Sequence, residues 1–251
     1  AAVVADGAGS RTRVDFVEDD PEKGNAEAKY LLADGYFWGK YGLEMDDAEA
    51  LRLMQESAEQ DYQDALVMVG FWYAQGLIVD EDPKAAFNFY SKAHKLGSKD
   101  GTFRLATAYQ NGTGVEEDAS HAFLLMKEAA EAGNTPAMNY LGEYFLFATG
   151  TEEDMDKAIF WWEKAAEEEH NRALFWLGFT YGTGDGVEKD VDRAANYFER
   201  SHDAGNVQAT YELGLAYYLG AGREENDERA VELFKEAYDG GDIDATYRLA
   251  F

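Results

Sequence analysis

Residues 173–205 read ALFWLGFTYGTGDGVEKDVDRAANYFERSHDAG, and most of the 251-residue chain repeats what they say. In the first part, Ala173, Leu177, Gly178 and Tyr181 share one side of a helix. Gly184 and Gly186 follow, at a place where a helix ends and the backbone turns. Asp190 then offers a side-chain oxygen to the first turn of a second helix. That helix carries Ala194, the bulky pair Tyr197 and Phe198, and Ser201, and it stops at Gly205. The unit is helix, glycine turn, helix.

Working outward, the small residue that opens the unit recurs at Ala28, Ala65, Gly101, Ala137, Ala173, Ala209 and Ala245, first 37 and then always 36 residues apart. Four residues later stands an aliphatic: Leu32, Val69, Leu105, Leu141, Leu177, Leu213 and Leu249. The next position is always tiny, namely Ala33, Gly70, Ala106, Gly142, Gly178, Gly214 and Ala250. Eight after the opening residue comes an aromatic, Tyr36, Tyr73, Tyr109, Phe145, Tyr181 or Tyr217. A mid-helix Gly costs roughly 1 kcal/mol relative to Ala, so the tiny slot predicts a neighbouring helix in close approach.

The turn after the first helix falls at Gly39, Gly76, Gly112, Gly184 and Gly220, with Ala148 departing from the rule. Expected N-caps follow at Asp46, Asp82, Asp118, Asp154, Asp190 and Asn226. In the second helix the bulky pairs are Leu53-Met54, Phe89-Tyr90, Leu125-Met126, Trp161-Trp162, Tyr197-Phe198 and Leu233-Phe234. Its terminal glycines are Gly97, Gly133, Gly205 and Gly241, while Asp61 and Glu169 stand where two others belong.

This pattern, best preserved in GTGVEEDASHA and GDGVEKDVDRAANYF, resembles the Sel1-like repeat, a relative of the tetratricopeptide repeat. A period of 36 and the G-x-G-V loop set it apart from the plain tetratricopeptide period of 34. The resemblance covers residues 26–251 as six full repeats and one first helix. It implies an all-α fold, a right-handed α-solenoid of antiparallel helix pairs in a TPR-like superhelix. The expected organisation is a repeat array over residues 25–251, preceded at 1–24 by an arm or degenerate cap. There Phe16, Val17 and Gly24 match a second helix that Pro21 would break.

The formal net charge is −28, from 50 acidic and 22 basic residues. Such a surface repels phosphate backbones and anionic lipids, which speaks against nucleic-acid and membrane-surface roles and favours basic partners or a solvated coat. No cysteine is present, so disulfides, thiolate nucleophiles and Cys-based zinc sites are excluded. No window approaches the ~20 apolar residues needed to span a bilayer, so no membrane insertion is expected. The chain opens AAVVA without Met, which fits either a processed chain of a lumen, periplasm or secretory compartment or a fragment.

No catalytic constellation stands out, and neither a cofactor nor a metal is implied. His94 and His202 occupy the same repeat slot and read as structural. His121 and His170 have no ligand at metal spacing. The GTGDG run at 182–186 follows a helix and lacks a P-loop Lys, so it reads as a turn. The acidic loops at 152–154 and 239–244 lack EF-hand spacing.

What remains is surface. Offsets 2, 6 and 9 of the first helices, opposite the packing slots, would line the concave groove that the resemblance implies. They hold Phe71, Phe103, Phe175, Phe179, Tyr211 and Tyr218, with polar exceptions such as Asp34, Asn139 and Glu143. Either neighbouring helices cover these aromatics and make them core, or they form an exposed partner-binding patch. An apolar groove with an acidic rim suits a protein partner bearing a basic amphipathic segment. The expected function is a non-enzymatic scaffold, adaptor or assembly subunit. The alternatives are an accessory subunit of a hydrolase and an acidic cation-binding protein.

Overall fold

The structure is a computed structural model that describes residues 26–249, so the expectation for residues 1–24, and for Ala250, lies outside the described residues. Among the described residues there are thirteen α-helices and no strand. They alternate as first and second helices of successive repeats: α1 (Ala26–Trp38) and α2 (Asp47–Glu59), α3 (Gln63–Gln75) and α4 (Pro83–Lys95), α5 (Lys99–Asn111) and α6 (Ala119–Glu131). Then come α7 (Thr135–Leu146) and α8 (Met155–Glu167), α9 (Asn171–Thr183) and α10 (Val191–Asp203), α11 (Val207–Leu219) and α12 (Asp227–Asp239), and finally α13 (Ile243–Leu249). Each first helix lies against its own second helix, as in an α-solenoid. The chain divides after Ala132 into two compact units.

Local chemistry sets the period. Every expected N-cap forms: the side chains of Asp46, Asp82, Asp118, Asp154, Asp190 and Asn226 accept backbone N–H bonds from the first turn of the following helix. The N–H of each of these cap residues in turn donates to the carbonyl of the aromatic at offset eight, Asp190 to Tyr181 at 2.9 Å for example. One residue thus starts the second helix and ties it to the end of the first. Ala148, Asp61 and Glu169, which replace expected glycines, adopt the same left-handed backbone, with φ of 53°, 62° and 52°. The turn geometry is held whether or not Gly supplies it.

The tiny slot meets the second member of the bulky pair in its own repeat. A Cβ on Gly178 would lie 2.7 Å from Phe198 Cδ1, and one on Gly142 would lie 2.3 Å from Trp162 Nε1. Gly70 meets Tyr90 and Gly214 meets Phe234 in the same way. In two repeats the first member of the pair stacks instead on the offset-eight aromatic, Tyr197 on Tyr181 and Phe89 on Tyr73. Trp72 and Trp162 are the largest fully buried side chains, one in each unit.

Candidate interaction surface

The histidines are consumed by structure. Nδ1 of His94 lies 2.9 Å from Thr102 Oγ1, and His202 repeats the contact with Thr210 at 2.9 Å. His170 caps α9, its Nδ1 accepting from the N–H of Ala173, and burial followed by the charge of Arg172 lowers its pKa. His121 sits edge-on to Tyr109. In the loop at 152–154, Asp154 accepts from the N–H of Lys157 and pairs with its ammonium at 2.6 Å. Among the described residues no group of three His, Asp or Glu side chains is placed to hold a metal. No described helix is long and apolar enough to cross a membrane.

The groove offsets fit neither of the two expectations along their whole length. In the first unit Phe71 and Phe103 are half-buried, and the guanidinium of Arg104 lies over both rings, 5.5 and 5.8 Å from their centres. In the second unit Phe175 is half-buried, stacked on Phe179 at 6.4 Å and against Phe198 at 6.1 Å. Phe179 is 43% exposed and Tyr218 48% exposed. Tyr211 and Tyr218 line one hollow with Phe234, Val231 and Arg248, where Arg248 approaches the Tyr211 hydroxyl at 3.4 Å. None of the six aromatics is fully buried: Phe71, Phe103, Phe175 and Tyr211 are half-buried, and Phe179 and Tyr218 are exposed.

Two polar members of the row, Asn139 and Glu143, behave the other way. Asn139 is 1% exposed and Glu143 7%. Glu143 accepts from Asn139 Nδ2 at 2.8 Å, from Trp176 Nε1 at 3.2 Å and from Arg172, whose guanidinium reaches it at 2.8 and 3.0 Å. A buried charge that is paired and fully hydrogen-bonded survives removal from water, whereas an unpaired one is costly. Sequence reasoning missed this node because its members occupy different slots in consecutive repeats.

A second carboxylate on this side is not so provided. Glu212 of α11 lines an apolar hollow with Phe179, Leu215 and Leu219. Burial, then Asp242, then Asp244 push its pKa above the usual carboxylate range. Among the described residues Glu212 forms no ion pair. In the first unit, burial and then Asp100 raise Asp64 in the same direction.

A run of helix hairpins, each first helix packed on its own second helix, defines an α-solenoid repeat protein. Its repeats match the Sel1 repeat at residues 26–62, 63–98, 99–134, 135–170, 171–206 and 207–242, and the chain belongs to that family. A protective antigen of uropathogenic Escherichia coli strains, with an SLR fold, gives a TM-score of 0.82 at 27% identity. That match covers 95% of this chain and 51% of the antigen, so the chain spans about half its length. A Sel1 repeat protein from Oxalobacter formigenes gives 0.79 at 31% identity, covering 88% and 86% of the two chains. An immunity protein from Pseudomonas aeruginosa, at 20% identity over 88% and 82%, gives 0.61 and shares the fold. No curated protein matches the chain. Proteins of this family commonly mediate protein–protein interaction and are typically non-catalytic.

Proposed function

We propose that the chain is a non-enzymatic scaffold or assembly subunit that holds a partner segment along the aromatic row of its first helices. The observation that carries this reading is the exposure of Phe179 and Tyr218 at groove offsets, each beside a hollow whose described lining includes apolar side chains, Leu215 and Leu219 at the first and Val231 and Phe234 at the second. Aromatic side chains in such positions supply most of the affinity in protein interfaces. The acidic surface selects basic partners and speeds their encounter. The reading also agrees with the family, whose members bind protein partners.

The test replaces Phe179 and Tyr218 together by Ser and compares affinity capture from the source extract with that of the unaltered protein. Both side chains are substantially exposed, so circular dichroism should show unchanged helicity. Loss of a specific partner with the fold intact is the expected outcome. Unchanged capture would remove the row from the binding surface, and robust turnover of ester, glycoside or peptide substrates would overturn the non-enzymatic reading.

A further inference from the structure

Equivalent positions three repeats apart hold opposite charges on this face. In the first unit, Phe71 and Phe103 carry the guanidinium of Arg104 on their rings. Adding 108 residues gives Phe179, Tyr211 and Glu212. The aromatic pair is kept, and the cation is replaced by a carboxylate. Beside Phe179 and Glu212 lies a hollow of about 260 Å³, walled by Val191, Phe198, Leu215 and Leu219. Among the described residues Lys189, the other charged residue of its lining, makes no ion pair with Glu212. Arg248, one repeat further on in the slot of Glu212, turns to Tyr211 and Tyr218 instead.

Resting on the scaffold reading above, we propose that this hollow is a socket for an arginine side chain presented by a basic amphipathic segment of the partner. A guanidinium meets all three features of the wall at once. Its face stacks on Phe179 as that of Arg104 does on Phe71, its N–H groups match the carboxylate of Glu212, and its aliphatic stem covers Leu215 and Leu219. A half-buried carboxylate next to Asp242 and Asp244 that makes no ion pair among the described residues gains from an added cation. The net charge of −28 delivers such a segment to the surface, and the socket fixes its register.

The probe is a synthetic amphipathic Leu/Arg peptide of about four helical turns, titrated calorimetrically, alongside a twin in which citrulline replaces each arginine. Citrulline keeps the shape and removes the charge. Glu212→Gln should weaken binding of the arginine peptide about tenfold or more. Glu212→Arg recreates the arrangement of the first unit, fills the socket from within and should abolish binding while the melting temperature holds or rises. Glu228→Gln, at an exposed acid on α12, makes the same charge change and should alter affinity less than about twofold.

Equal losses from Glu212→Gln and Glu228→Gln would reduce the attraction to general charge and overturn the socket. So would tight binding of the citrulline peptide, or no binding of the arginine peptide by the unaltered protein. If partner capture is lost in the Phe179 and Tyr218 double variant but survives Glu212→Arg, the scaffold stands and the arginine socket falls. If capture survives both, the scaffold reading falls too.

Discussion

At the scale of single residues, the repeat is held by one exchange between two slots. Where the tiny slot is Gly (Gly70, Gly142, Gly178, Gly214), the second bulky residue of the same repeat is aromatic: Tyr90, Trp162, Phe198, Phe234. Where the slot is Ala (Ala33, Ala106), that residue is Met54 or Met126. A flat, stiff ring needs the space a Cβ would take, while an unbranched thioether bends around it. Gly178→Ala should therefore destabilise the protein by about 1–3 kcal/mol through overpacking against Phe198. Adding Phe198→Met should recover part of that loss, because the double variant reproduces the Ala106 and Met126 combination. Urea unfolding of both single variants and the double variant checks this; strictly additive losses would show that the two slots are not coupled. The pairing is legible in the sequence once the contact is known. The sequence predicts that something approaches the tiny slot, but periodicity alone does not say which side chain.

At the scale of the helix, termini tell two solutions to one problem apart. Most second helices end on a glycine with left-handed backbone, such as Gly97 and Gly205. Asp61 and Glu169 take the same conformation with a side chain, and in both cases the following second helix brings a cation. Lys92 pairs with Asp61 at 2.6 Å, and Arg200 pairs with Glu169 at 2.8 Å while also donating to the carbonyl of Ala166 at 2.9 Å. Left-handed backbone costs a non-glycine residue about 1–2 kcal/mol, whereas an exposed ion pair returns about 0.2–1 kcal/mol. Glu169→Gly gives up the pair but keeps the bond from Arg200 to Ala166. It should leave stability unchanged or raise it by up to about 1 kcal/mol, measured as a shift in thermal midpoint. A clear loss would mean that the ion pair outweighs the backbone. The second-helix caps were all readable from the sequence, because a short polar residue recurs at each start. The first-helix caps were not: Ser98, Asn134, His170 and Asn206 share a role and no common chemistry beyond an acceptor atom.

At the scale of the whole chain, correspondences return three repeats apart: Asp61 with Glu169, Lys92 with Arg200, His94 with His202 and Thr102 with Thr210. Shared slots of this kind are what a sequence shows well. Glu212 carries a chemistry that its sister copies lack, Glu143 shares its slot with Asp34, and only the surroundings reveal that Glu143 is paired and Glu212 is not. Charge also acts at this scale, and its sign against pH follows from the direction of each shift. Asp64 and Glu212 have raised pKa values when folded, so their contribution is full below the unfolded carboxylate pKa and is lost as pH rises through the folded one. Glu49, Glu56 and Asp154 are lowered, by Arg52, Lys29 and Lys157 respectively, and would lose stability as pH falls. They stand in water, where such pairs weigh little. His170, buried and lowered, also opposes, since its contribution fades as pH drops through the unfolded histidine pKa of about 6.5. Mutual repulsion in a chain of charge −28 adds to the first group. At low ionic strength the melting temperature should thus climb as pH is lowered from 7 to about 5, and the climb should shrink in about 0.5 M salt, where the screening length falls below ~5 Å. His170→Asn keeps an N-capping acceptor without a titrating group, and should make the climb steeper. A melting temperature that falls on acidification, or that falls as salt is added at pH 7, would mean that ion pairs rather than repulsion govern the stability of this acidic solenoid.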